Sequence, residues 1–222
     1  MRYPDLLTAL FATVLLVSNV ASTKLVVLGP FTFDGGTLLF PLAYIFGDVL
    51  TEVYGYRKSR RVIWIGFFAL LLATLTFQAV AHLPAPPDAE SQRFGEAFGL
   101  LLGLTPRIVL GSLLAYFLGE FANAYVLAKL KVRTEGRFFW LRALASTLVG
   151  QGLDTGVFLL VAFYGVFPKE VLLAVFLSNY AFKLGVEALM LPFTYAVVGF
   201  LKRAEGMDAY DRDTDFNPFR LT

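Results

Sequence analysis

Apolar residues run along the chain in blocks long enough to cross a hydrocarbon core as a helix, which takes about 20 residues, and Gly, Pro or knots of cations interrupt them. Six blocks are predicted as membrane-spanning helices, at roughly 6–28, 37–55, 62–82, 107–130, 138–165 and 170–201. The second is short, and the last is long enough to tilt or to begin with an interfacial turn. The weak alternating segments of a transmembrane barrel are missing. The pattern therefore predicts an all-α membrane protein, with 1–222 a single transmembrane domain. The start of the chain looks like a signal peptide, but its apolar run continues to about Leu28 and includes Asn19 and Lys24, so it reads as a retained first helix. The stretch 94-FGEAFGLLLGL-104 is too short to span and reads as an interfacial or re-entrant helix. The tail 205-EGMDAYDRDTDFNPF-219 suits an ordered cap or a loose end equally well.

Composition agrees with the pattern. With 57% hydrophobic residues, 16% charged residues and a mean hydropathy of +0.67, the chain has too little polar material for the skin of a soluble domain. A net charge of +2, carried in short clusters, does not argue for nucleic acid. The clusters report topology instead. Arg57, Lys58, Arg60 and Arg61 follow the second block, Lys129, Lys131, Arg133, Arg137 and Arg142 follow the fourth, and Lys202 and Arg203 open the tail. The segments 29–36, 83–106 and 166–169 are poor in cations, so both termini are predicted to be cytoplasmic.

The absence of cysteine excludes a disulfide framework, a thiolate metal site and a cysteine nucleophile. No GxxxxGK[ST] loop, GxSxG elbow or HExxH motif is found. His82, the single histidine, falls at the end of the third block and has no visible metal partners. No catalytic residue, metal or cofactor is expected, and the chain is read as not being an enzyme.

Polar residues inside the blocks carry the functional signal. A charge at the bilayer centre costs about 2.5–3.5 kcal/mol, so each needs a partner, a wet cavity or an interfacial position. Asn19, Thr23 and Lys24 lie in the first block; Asp48 and Glu52 in the second; Glu120 and Asn123 in the fourth; Gln151, Asp154 and Thr155 in the fifth; Asn179, Lys183 and Glu187 in the sixth. Within the second, fourth, fifth and sixth sets the spacing of three or four residues puts each set on one helical face. These polar stripes require a common interior. Structural glue is the competing account: Lys183 and Glu187 pairing along one helix, Glu52 as an interfacial acid meeting Arg57 or Arg60, Lys24 snorkelling. Gly47, Gly111, Gly119, Gly150 and Gly152 read as close-packing positions, and Pro41 and Pro192 as kinks beside a cavity.

The strings 18-SNVASTKL-25, 40-FPLAYIFGDVLTEVYGYRKSRR-61, 120-EFANAYVLAKLKV-132, 146-STLVGQGLDTGVF-158, 183-KLGVEALMLPFTYAVVGFLKR-203 and 215-DFNPF-219 resemble the queuosine precursor transporter family of bacterial inner-membrane proteins. The resemblance covers nearly the whole chain in long, ordered blocks. It implies six helices in a vitamin-uptake fold similar to the substrate-binding subunits of energy-coupling-factor transporters. It also implies import of 7-deazaguanines such as 7-cyano-7-deazaguanine and 7-aminomethyl-7-deazaguanine. Met190-Leu191-Pro192 departs from the more polar approach to the proline that the family suggests.

Such a base offers donors that a carboxylate can accept as a pair, and an oxygen that Asn, Gln or Lys can satisfy. Phe40, Tyr44, Phe46 and Tyr180 offer ring faces on or near the same helices. The expected substrate site therefore comprises Asn19, Lys24, Phe40, Tyr44, Asp48, Glu52, Glu120, Asn123, Gln151, Asp154, Lys183 and Glu187. The partners implied are the base and the lipid bilayer, with a homo-oligomer or an energising module left open. Two alternatives stand beside this reading: a proton-coupled carrier for another purine or vitamin, and a membrane enzyme using an acid pair.

Overall fold

The computed structural model describes residues 3–28, 31–104 and 106–220. In chain order these form α1 (Pro4–Ala21), a hairpin of β1 (Leu25–Leu28) and β2 (Phe31–Asp34), α2 (Phe40–Val49), α3 (Tyr56–His82), α4 (Ala89–Leu102), α5 (Pro106–Arg133), α6 (Phe139–Phe163) and α7 (Lys169–Glu205). Of these, α1, α3, α5, α6 and α7 are long and apolar enough to cross a membrane. The chain is an all-α membrane protein carrying one small hairpin.

The first expected span is cut short. The hydroxyls of Ser22 and Thr23 bond back to the carbonyls of Ser18 and Val20 at 2.9 and 2.8 Å, which closes α1 at Ala21. The following β-branched Val26 and Val27 favour extended backbone, and β1 pairs antiparallel with β2 from Leu25 opposite Asp34 to Leu28 opposite Phe31. The second expected span is broken into a 3-10 turn at Gly35–Leu38, α2, and a π-helical turn at Leu50–Tyr54. Its 10 residues of α-helix and 5 of π-helix are by themselves shorter than a full crossing, and the 4-residue 3-10 turn ahead of them lengthens the segment. Gly55 ends the π turn at φ +81°, a conformation that strains any other residue.

Two cation clusters expected in loops are helical. Arg57 to Arg61 lie in the first turns of α3, and Lys129 and Lys131 lie in α5. Pro192 sits inside α7 without ending it. The short segment expected near 94–104 is α4, of 14 residues, capped by Asp88, whose carboxylate accepts the Ser91 N–H at 2.8 Å.

Helices α5 and α6 cross backbone to backbone. A Cβ on Gly119 would stand 3.0 Å from the Gly150 carbonyl oxygen, and a Cβ on Gly150 only 2.8 Å from Asn123 Cβ. Small residues permit that approach, and it sets Asn123 beside the α6 stripe.

The acidic tail is an ordered cap. The Asp211 carboxylate accepts the Tyr56 N–H at 2.9 Å at the start of α3. Arg60 donates to the carbonyls of Asp215 and Asn217 at 2.9 and 2.7 Å, and Trp64 Nε1 donates to Pro218 at 2.8 Å. At the same end, the Tyr3 N–H meets Glu205 Oε1 at 2.8 Å. Residue 3 and the tail therefore share one end of the bundle, called the tail end below, and the hairpin lies towards the other.

Candidate ligand-binding site

Asp48 of α2 is fully buried, and its Oδ1 accepts Asn123 Nδ2 of α5 at 3.1 Å. Gly47 leaves its side-chain position open towards the same groups: a Cβ there would stand 3.5 Å from Glu120 Oε2 and 3.9 Å from Asn123 Nδ2. Glu187 of α7 is also fully buried and faces Asp48 carboxyl to carboxyl. Tyr44 of α2 and Gln151 of α6 complete the buried layer.

Several polar atoms of this layer meet no hydrogen-bond partner among the described residues. Asp48 Oδ2, Asn123 Oδ1, both amide atoms of Gln151, both carboxyl oxygens of Glu187 and the hydroxyls of Thr147 and Thr155 are buried without a hydrogen bond. Folded chains pair nearly all such atoms, and each one left unpaired costs about 1–3 kcal/mol. Eight such atoms in one region leave hydrogen-bonding capacity that the described residues do not use.

Towards the hairpin end this layer meets a cavity of about 410 Å³. Asn19, Tyr116, Asp154, Thr155, Asn179 and Lys183 supply its polar wall, and Phe158 and Phe163 its ring faces. Thr155 belongs to both cavity and buried layer. Lys183 Nζ lies 3.2 Å from Asp154 Oδ2, bridging α6 and α7, with the side chains 19% and 29% exposed. Water reaches that pair, so it contributes little to stability. The cavity volume falls within the range of about 300–1,000 Å³ usual for small ligands.

Glu52 belongs elsewhere. Its Oε1 accepts Lys202 Nζ at 2.7 Å, Arg142 Nη2 lies 2.9 Å from both of its oxygens, and Lys131 Nζ is 3.4 Å from Oε1. Lys131 also donates to the Glu52 carbonyl at 2.5 Å. Asp208 of the tail joins by accepting Lys131 and Lys202. Burial opposes ionisation of Asp208, but hydrogen bonds from these two ammonium groups outweigh it and hold its carboxyl below the usual range. Asp48 and Glu52 would share a face in an α-helix. The π turn prevents it, because i→i+5 bonding widens the turn and alters where Glu52 points.

The expected site residues therefore separate. Asp48, Tyr44, Glu120, Asn123, Gln151 and Glu187 gather in the deep layer, and Asn19, Asp154 and Lys183 in the cavity above it. Glu52 sits in the ion cluster at the tail end, and Lys24 is exposed beside the hairpin. The side chain of Phe40 lies outside the described residues.

A family profile described as "Putative vitamin uptake transporter" matches residues 34–197. The chain belongs to that family. Membership agrees with its apolar helices and with the resemblance read from its motifs. A "Probable queuosine precursor transporter" of Bacillus subtilis (strain 168) is 36% identical over 188 residues, covering 84% of this chain and 80% of the relative. The "Queuosine precursor transporter" of Escherichia coli (strain K12) is 27% identical over 168 residues, covering 73% and 71%. No solved structure matches the chain.

Sequence reasoning missed the roles of Arg142, Lys131 and Lys202, which it assigned to topology. Arg142 and Lys131 are 0% and 1% exposed, as buried as Glu52 itself. The available signal was balance: a carboxylate inside an apolar block needs cations, and these flank the neighbouring blocks. Asp208 and Asp211 gave no such signal, because tail contacts depend on how the chain returns to the bundle.

Proposed function

We propose that this chain imports queuosine precursors, 7-cyano-7-deazaguanine or 7-aminomethyl-7-deazaguanine, and is a carrier rather than an enzyme. Five long helices together with α2 and its π turn make six crossings of the bacterial inner membrane, in a vitamin-uptake arrangement like that of energy-coupling-factor substrate subunits. The tail end faces the cytoplasm and the cavity faces outward. The base enters the cavity past Asp154 and Lys183, reaches the buried layer, and leaves towards the tail end when the bundle rearranges.

The observation that carries this reading is the set of eight unpaired buried atoms beneath the cavity. A guanine-like edge has N–H donors for Asp48 Oδ2, Asn123 Oδ1 and the Gln151 oxygen, and a carbonyl oxygen for Gln151 Nε2. The names of the relatives agree with it.

The test is uptake of the base by cells unable to make it, with protein level checked by blot. Losing a hydrogen bond to a charged or buried group costs about 1.5–3 kcal/mol, roughly tenfold or more in affinity. Gln151→Ala and Asp48→Asn should each lower uptake by that factor. Normal uptake by both, and by Asp154→Asn, would place the ligand elsewhere.

A further inference from the structure

The geometry points to a proton-binding site formed by Asp48 and Glu187, whose proton travels with the imported base; the coupling rests on the import reading, and the proton site does not. Helices α2 and α7 pack together, and there the two carboxyl groups face each other wholly buried. Asp48 Oδ2 and both Glu187 oxygens meet no donor.

Among the described residues, the groups that act on this pair are acidic or neutral. Facing Asp48 are Glu187 from α7 and Glu120 and Asn123 from α5, while Glu52 adds negative charge from its separate cluster. Tyr44, on α2 itself, faces Asp154, Glu120, Glu187 and Asp48. Asn123 donates to Asp48 Oδ1, not to Oδ2 or to Glu187. The cations around the layer are engaged with other acids: Lys183 with Asp154, and Arg142, Lys131 and Lys202 with Glu52. Two carboxylates sharing a dry site without a cation do not both stay ionised. One proton between them turns two opposed acceptors into a donor and an acceptor.

That proton also completes the chemistry of the ligand layer. Among its unpaired atoms, acceptor oxygens outnumber donors, and Gln151 Nε2 is the one nitrogen. A protonated Glu187 supplies a second donor to the carbonyl oxygen of the base, while Asp48 accepts its N–H groups. Glu187 takes the proton from hydronium that enters through the cavity and releases it to water at the tail end. Only an O–H bond forms and later breaks.

The test uses the full chain in liposomes holding a trapped pH indicator, with 7-cyano-7-deazaguanine as probe because this base carries no charge of its own. The lumen should acidify as the base enters, and an acid-outside gradient should accumulate the base about tenfold per pH unit at one proton per base. Base entry with a constant internal pH would overturn the coupling, whereas no entry under any gradient would overturn the import reading instead. The proton site is read without transport. Infrared spectra of the purified protein at neutral pH should show the C=O stretch of a protonated carboxyl, lost in Glu187→Gln and in Asp48→Asn. Its absence from the unsubstituted protein, or its persistence in both variants, would refute the site.

Discussion

Replacing Glu52 by Gln tests whether this acid holds the tail end together or binds ligand. The substitution keeps the shape and removes the anion shared by Arg142, Lys131 and Lys202. Lys202 is 25% exposed and keeps Asp208 at 2.9 Å, so its share of the loss stays within about 1 kcal/mol. Lys131 keeps Asp208 and the Glu52 carbonyl. Arg142 loses its counter-ion: it is 0% exposed, both bonds from Nη2 go to Glu52 and its Nε is unpaired, while Nη1 keeps only the neutral Thr134 hydroxyl and Arg137 carbonyl. Removing one partner of a buried pair costs about 3–5 kcal/mol. At about 2–4 °C per kcal/mol for a chain of this size, the melting temperature should fall by roughly 6–20 °C. The assay is thermal unfolding of the detergent-solubilised protein. The double variant Glu52→Gln/Arg142→Met should recover much of the loss, because it removes the cation as well. Melting of Glu52→Gln within about 1 °C of the parent, accompanied by weakened base binding, would refute the structural assignment.

Two further outcomes follow from the packing and the tail. Gly150→Val should destabilise by about 1–3 kcal/mol or more and weaken base binding with it, since the new side chain drives α6 away from Asn123. Gly156→Val, where the nearest side chain is the Phe176 ring at 3.7 Å, should be milder, and equal melting of the two variants would contradict the crossing. Asp208, held below the usual carboxylate range, stabilises the tail fully above the unfolded value of about 3.9 and loses that effect as pH falls through its lower folded value. The melting difference between the parent and Asp208→Asn should therefore be constant above about pH 5 and shrink below about pH 4. A difference that persists in stronger acid would show that Asp208 does not act through its charge.

Much of the architecture was legible because a membrane imposes strong local rules. Runs of about 20 apolar residues located the five long helices, since unpaired backbone is not tolerated in hydrocarbon. Helical spacing placed Gln151 with Thr155 on one face and singled out Asp48, Asn123 and Glu187, and polar side chains at such depth must be used. Gly119 and Gly150 were read as packing positions, and the crossing of α5 and α6 uses them so. The long motif blocks carried the family.

Other features depended on contacts between distant parts of the chain. The end of α1 at Ala21 follows from local hydroxyl bonds and hairpin pairing that hydropathy does not register. The π turn, which sends Asp48 and Glu52 into different clusters, breaks the period on which spacing arguments rest. Arg142 and Lys131 resembled surface cations until packing brought them onto a buried carboxylate, and the tail became a cap only through bonds to Tyr56, Arg60 and Trp64, more than 150 residues earlier in the chain. Periodicity along one helix fixes which side chains share a face; which faces meet, and so which charges are paired and which left for a ligand, is settled only when the helices pack.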